Sequence, residues 1–251
     1  MINLWNAWHG CHKISAGCLN CYMFRRDAKY GKDSTVITKT ANFRLPIMKK
    51  KDGSYKLQTT DYVYVCMTSD FFIEEADDWR SRAFEMMKIR SDLNFYIVTK
   101  RIDRFDKCKP YDWKDGYDNV TICSTCENQE MADYRLPIFL SLPIKHKEII
   151  HESMLEAIDI NKYLESGQIE NVICGGESGD NARELNYDWV LNTREQCLKW
   201  EVPFYFKQTG ANFIKDGKRY KVPRAIQMEQ ARKAILIYKS GQPTTIFLFR
   251  F

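Results

Sequence analysis

Short apolar runs recur along the chain, separated by longer segments in which apolar positions return every three or four residues. The runs are Tyr62–Cys66, Phe95–Thr99, Val120–Cys123, Glu148–His151, Val172–Cys174 and Phe204–Lys207. Most are continuous rather than alternating and are rich in Val, Ile, Phe and Tyr, the pattern of parallel strands buried on both faces. Asp77–Arg90 carries Trp79, Ala83, Met86, Met87 and Ile89 at helical spacing, and Gln129–Ser141 and Ser153–Glu165 repeat that periodicity. Asp188–Trp200, with Trp189, Val190, Leu191 and Leu198, starts at a cap provided by Asn186 or Asp188. Such alternation predicts a parallel sheet with right-handed crossovers. At 251 residues the fold class is α/β, a partial or complete (β/α) barrel with mainly parallel strands.

Two regions break the rhythm. Residues 32–60 hold the turn signal Lys51-Asp52-Gly53-Ser54 and read as an insertion in a barrel domain spanning 1–210. Residues 211–251 read as a C-terminal extension with a second turn, Lys215-Asp216-Gly217-Lys218, and an apolar, strand-like end at Thr244–Phe251.

The predicted strands end in chemistry: Asp70 after Cys66, Lys100-Arg101 after Thr99, Glu127 after Cys123, Glu152 after His151, Gly175-Gly176-Glu177-Ser178 after Cys174, and Lys207-Gln208. In a parallel barrel these positions share one mouth, where the active sites of such barrels lie. Ordinary strand termination would explain any one of them; their recurrence points to a shared site. Asp70, Lys100 and Glu152 are the catalytic candidates.

Cys11, Cys18 and Cys21 form a C-x6-C-x2-C loop with Gly10 and Gly17 each preceding a cysteine. Three thiolates can hold three corners of a [4Fe–4S] cube, one fewer than the four usual in an electron-transfer cluster, and leave one iron open. A zinc ion on the same cysteines, with His9 or His12 as fourth ligand, is the competing reading. Cys66, Cys123, Cys126 and Cys174 read as core residues, or alternatively as a second metal site or a hydrogen-donating thiol; Cys108 and Cys197 read as structural. Trp5 and Trp8 flank the loop as a shield from water.

Composition changes this picture little. The net charge of +5 permits an anionic partner without demanding one, and 44% hydrophobic and 28% charged residues are ordinary for a globular chain. No apolar run approaches bilayer length, and the first residues lack the pattern of a signal peptide. The expectation is a cytoplasmic protein without membrane attachment, whose nine cysteines serve metal or catalysis rather than disulfides.

Several motifs read together resemble a known family. Trp5-Asn6, Gly10-Cys11 and Lys13-Ile14-Ser15-Ala16-Gly17-Cys18-Leu19-Asn20-Cys21-Tyr22 are followed by Met67-Thr68-Ser69-Asp70-Phe71-Phe72 and Val98-Thr99-Lys100-Arg101. Asn119-Val120 with Glu127-Asn128-Gln129, Gly175-Gly176-Glu177-Ser178-Gly179, Arg194 with Gln196-Cys197, and Phe206-Lys207-Gln208-Thr209-Gly210 complete the set. Together they resemble the three-Cys-motif proteins of phages and bacteria, which are similar to radical S-adenosylmethionine (SAM) barrels and distantly to DNA photoproduct lyases. This chain departs from their pattern at Ser153-Met154-Leu155, at Thr209, and in having cysteines at 123 and 126. The resemblance implies a [4Fe–4S] cluster on Cys11, Cys18 and Cys21, and SAM held near Gly175, Gly176, Glu177, Ser178, Lys207 and Gln208. It also implies an electron donor such as flavodoxin or ferredoxin, and a substrate that is a nucleobase, nucleotide or nucleic acid. A peptide or small metabolite is the alternative substrate.

Overall fold

The computed structural model describes residues 3–59 and 62–234, together with the backbone of 237–238. Its elements in chain order are β1 (Asn3–Trp5), β2 (Trp8–His9), α1 (Tyr22–Lys29), β3 (Thr38–Lys39), β4 (Val63–Val65), α2 (Asp77–Ile89), β5 (Phe95–Thr99), α3 (Phe105–Cys108), β6 (Val120–Thr125) and α4 (Gln129–Ser141). They continue with β7 (His146–Glu152), α5 (Asn161–Leu164), β8 (Ile169–Gly175), β9 (Glu184–Asn186), α6 (Tyr187–Lys199), β10 (Phe204–Gln208), β11 (Asn212–Lys215), β12 (Lys218–Lys221), α7 (Gln227–Lys233) and β13 (Ile237–Tyr238).

The main sheet runs β1-β4-β5-β6-β7-β8-β10, every neighbour parallel, with β13 antiparallel on its last edge. Each crossover therefore steps to the adjacent position in the same sense, and the seven parallel strands curl into a half-barrel. Alternation along each strand separates two faces. Val63, Val65, Phe95, Ile97, Ile122, Ile149, Val172, Phe204 and Phe206 join the helices in one large core, with Phe84, Met87, Leu136, Phe139 and Val190 on the helix side. Tyr64, Tyr96, Cys123, Ile150 and Ile173 form a second, smaller cluster on the other face of the sheet. Each fully buried large apolar side chain contributes about 1.5–3 kcal/mol, so the helix-side core dominates stability.

The predicted strands are present, with β6, β7 and β8 longer than expected because polar end residues such as Ser124-Thr125, His146-Lys147 and Glu170-Asn171 extend them beyond the apolar runs. Asn186, not Asp188, caps α6: its side chain accepts from Asp188 N at 3.0 Å. The helix expected over Ser153–Glu165 is reduced to Asn161–Leu164. Its first half is an extended loop, because Met154 N donates to Gly175 O (3.0 Å) and Leu155 N to Glu127 O (2.9 Å). Those bonds fasten the start of the segment to the neighbouring strand ends and satisfy its backbone N–H groups there, so the helix starts only at Asn161.

Within the insertion, β3 pairs antiparallel with β2, and the Lys51–Ser54 turn closes with Lys50 N donating to Ser54 O at 2.7 Å. The insertion is tied down by Arg90, 1% exposed, whose guanidinium donates to the carbonyls of Pro46 and Leu57 and sits over the Tyr55 ring at 4.0 Å. The second turn is a two-residue hairpin, Asp216-Gly217, joining β11 to β12, with φ of 53° and 70°. The strand-like end at Thr244–Phe251 lies outside the described residues. Among those residues no helix is long and apolar enough to cross a membrane.

Candidate functional site

The loop 11–21 begins at a backbone position that only glycine fills. Gly10 has φ +97°, and a Cβ there would lie 2.5 Å from Val36 O. Gly10 N donates to Thr68 O (3.1 Å) and Cys11 N to Ser34 O (2.8 Å), which fixes the loop entry. A single 3-10 turn, Ala16–Cys18, follows, and Cys21 opens α1, with Arg25 N bonded to Cys21 O. All three cysteines are free and half-buried, whereas Cys66, Cys123, Cys126, Cys174 and Cys197 are buried.

This loop lies across the ends of the parallel strands, and four strand ends hold it. After β4, Met67 O accepts from the Tyr22 hydroxyl, and Ser69 Oγ donates to Gly10 O. After β5, Arg101 Nη2 donates to His12 O at 2.8 Å and Nη1 stands 3.7 Å from Cys11 Sγ. After β6, Glu127 Oε1 accepts from Gly17 N at 3.0 Å, and its Oε2 accepts from Arg135 at 2.7 Å. After β8, Glu177 Oε2 accepts from Asn20 Nδ2 at 3.0 Å, while Arg183, which chelates the same carboxylate, donates to Ala16 O.

The remaining mouth residues are linked to these. Asp70 accepts from Thr99 Oγ1 (2.7 Å), Lys100 N (2.9 Å) and Phe72 N (3.0 Å), and its carboxylate lies 3.4 Å from Arg101. Glu152 pairs with Lys207 at 2.8 Å, and Ser153 Oγ donates to Glu177 at 3.1 Å. Gln208 Nε2 donates to Gly176 O at 2.7 Å. Ser178 is held by two arginines: Arg25 at its carbonyl (2.6 Å) and Arg224 at its hydroxyl (2.7 Å). The sequence-predicted groups after β4, β5, β6, β7, β8 and β10 thus meet at one end of the sheet; of these, Arg101, Glu127 and Glu177 bond to the cysteine loop, and the end of β4 reaches the residues on either side of it through Met67 and Ser69.

Glycine shapes this mouth twice. A Cβ at Gly175 would stand 2.4 Å from Glu152 Oε1, and one at Gly176 would stand 2.5 Å from Thr209 O. Glu152 Oε1 is buried and has no hydrogen-bond partner among the described residues.

Electrostatics follow from burial and neighbours. Burial pushes the Cys11 thiol up to about 11; Asp70 adds to that and Arg101 opposes it. Burial also works to raise the Glu127 carboxyl, but the charges of Lys100 and Arg135 and the bonds from Ser15 and Gly17 outweigh it and hold it below the usual carboxylate range. Against the same burial, Arg183 and Asn20 bring Glu177 down to about 2.

Both histidines near the loop are engaged by carboxylates. His9 Nε2 is 2.7 Å from Asp27 Oδ2, and His12 meets Glu75. Among the described residues no three His, Cys, Asp or Glu side chains approach closely enough to grip a single ion. Of the buried cysteines, Cys66, Cys126 and Cys174 pack in the helix-side core, and Cys123 lies on the opposite face of the sheet. Trp5 and Trp8 are fully buried, anchored by donation to Phe43 O and Asp70 O.

Arg135 and Arg183, which fix the two carboxylates holding the loop, stand in no motif singled out from sequence. Each belongs to the ordinary charged face of a helix or turn until the chain folds. Asn20, in contrast, lies inside the cysteine motif, and its polar character there reflects its bond to Glu177.

A family described as protein of unknown function (DUF5131) matches residues 2–235. Comparison with curated proteins and with solved structures returns no match.

Proposed function

We propose that this chain, which belongs to the DUF5131 family, is a radical SAM enzyme whose Cys11, Cys18 and Cys21 carry a [4Fe–4S] cluster. The observation that carries the reading is a three-thiol loop held by four strand ends at the mouth of a parallel half-barrel, with both nearby histidines turned to carboxylates. A tetrahedral zinc ion would need a fourth donor beside the three thiols, and the two nearby histidines are engaged by Asp27 and Glu75. A cubane takes one thiolate per iron, so three thiolates would leave the fourth iron to SAM. Bound there, SAM would supply a 5′-deoxyadenosyl radical on one-electron reduction.

The chain's own residues prepare that mouth. Glu152 Oε1, buried and without a partner among the described residues, is an acceptor for an incoming N–H or O–H group, and glycine at 175 leaves the room it needs. Lys207 holds the other oxygen of that carboxylate in place. Gly176 and Gln208 shape the adjoining backbone, and Ser178 sits between Arg25 and Arg224. Asp70 and Lys100 stand at the opposite side of the loop, bonded backbone to carboxylate. Glu177 acts as a clamp, since Arg183, Asn20 and Ser153 all bond to its carboxylate. The substrate we favour is a nucleobase, free or in nucleic acid, in keeping with the net charge of +5. A peptide or small metabolite is the second class, and flavodoxin or ferredoxin would supply the electron in the cytoplasm.

Anaerobic reconstitution tests the reading. The expected result is brown protein with about four irons and four sulfides per chain, which releases 5′-deoxyadenosine from SAM on dithionite reduction. Loss of iron uptake in Cys18→Ala is the matching control. Colourless protein with stoichiometric zinc and no nucleoside product would overturn it in favour of a zinc-bound, nucleic-acid-binding barrel.

A further inference from the structure

Arg101 is the one guanidinium that reaches a sulfur of the cysteine loop among the described residues. Its Nη1 lies 3.7 Å from Cys11 Sγ, within hydrogen-bond reach of sulfur, and its Nη2 donates to His12 O at 2.8 Å. The residue is 8% exposed and is braced by its neighbours. Asp70 stands 3.4 Å away, and its carboxylate is itself held by Thr99 Oγ1, Lys100 N and Phe72 N. The backbone of Arg101 is pinned as well, its N–H donating to Thr99 Oγ1 at 2.9 Å. A buried cation held this firmly cannot swing away when the charge of the loop changes. The other two sulfurs lack such a partner: Cys18 Sγ has the Ser15 hydroxyl at 3.9 Å, and no charged donor bonds to Cys21 among the described residues.

We infer that the Arg101 guanidinium, by donating to the Cys11 sulfur, raises the reduction potential of the iron–sulfur cluster; the inference rests on the radical SAM reading above. Adding one electron increases the negative charge carried by the thiolate sulfurs. A fixed positive donor on one of them stabilises the reduced form more than the oxidised form. Asp70 offsets part of the charge but also fixes its direction, so that the fork faces the loop rather than solvent. Arg101 is thus a positioning and tuning residue, acting on the reaction through Cys11 rather than by touching the substrate.

The test is a potentiometric titration, followed by electron paramagnetic resonance, of anaerobically reconstituted wild type, Arg101→Gln, Arg101→Lys and Lys107→Gln. Iron and sulfide are counted in each sample. Arg101→Gln is expected to shift the one-electron equilibrium at least tenfold toward the oxidised cluster, a fall of 59 mV or more. Arg101→Lys, which keeps the charge and loses the fork, is expected to fall by less. Lys107→Gln, at an exposed cation on α3, leaves the potential where it was. A full cluster in Arg101→Gln with the wild-type potential overturns the inference. Failure of both Arg101 variants to take up iron overturns it too, since Arg101 would then be a tether of the loop. Absence of iron and sulfide from the wild type is a different result and strikes the radical SAM reading itself.

Discussion

Glu177 is 8% exposed where β8 passes into the mouth, and three side chains plus one backbone N–H converge on its carboxylate. Its folded value, about 2, lies below the ordinary 4.5. The stabilisation it provides is therefore complete above about 4.5 and is lost as pH falls through about 2. With Arg183 partly exposed, the clamp is worth roughly 2 kcal/mol rather than the full linkage value. Urea unfolding between those two pH values should show wild type losing stability with acid faster than Glu177→Gln; parallel curves for the two proteins would remove the clamp from the account. Gly17 offers a second measurement at this scale. A Cβ there would stand 3.0 Å from Glu127 Cδ, and Arg135 prevents that carboxylate from retreating. Gly17→Ala is expected to cost about 1–2 kcal/mol and to lower iron uptake, read by unfolding and by metal analysis.

At the scale of elements, β6, α4 and the cysteine loop are joined by one buried ion pair. Glu127 is 0% and Arg135 2% exposed, at 2.7 Å, and Arg135 also donates to Thr125 O. Replacing Arg135 with Met removes the guanidinium bonded to a buried carboxylate and leaves Lys100 as the cation acting on it, at a cost of up to about 3–5 kcal/mol. Glu127→Gln in the same protein should recover part of that loss, and chemical denaturation of the two single variants and the double variant decides it. If the double variant is as unstable as the sum of the singles, the pair is not coupled. Elements were legible where their pattern was self-contained. The apolar face of Asp77–Ile89 and the cap at Asn186 are local features, and both are present. The segment 153–165 was misread because its periodicity suits a helix, while its start is fastened in extended form to carbonyls of β8 and of Glu127, beyond the end of β6. No window of sequence contains those partners.

For the whole molecule, the sheet and helices enclose a core that does not depend on the cysteine loop: Phe84, Leu136, Phe139, Val172 and Phe206 pack between them, all at most 1% exposed. The protein without metal, or with Cys11, Cys18 and Cys21 all changed to Ala, is accordingly expected to unfold cooperatively. Its far-ultraviolet circular dichroism should match that of the cluster-bound protein, and cluster binding should add stability by mass action alone. A metal-free chain that lacks a cooperative transition would mean the loop belongs to the core, as in domains that fold only around their metal.

The sequence by itself determined a parallel α/β sheet of barrel type, partial or complete, because continuous apolar runs and helical periodicity are local signals that each strand and helix carries within its own length; the edge strand β1 and the half-barrel came only with the fold. It also determined that Asp70, Lys100, Glu127, Glu152, Glu177 and Lys207 would share one end of the sheet, since parallel strands share a direction. Only the tertiary structure decided what each of these groups does there. Lys207 turns to Glu152, Glu177 is spent on Arg183 and Asn20, and Arg101 rather than Lys100 reaches the Cys11 sulfur. A charged side chain chooses its partner by distance and desolvation, and those are properties of segments brought together from as far apart as residues 20 and 177.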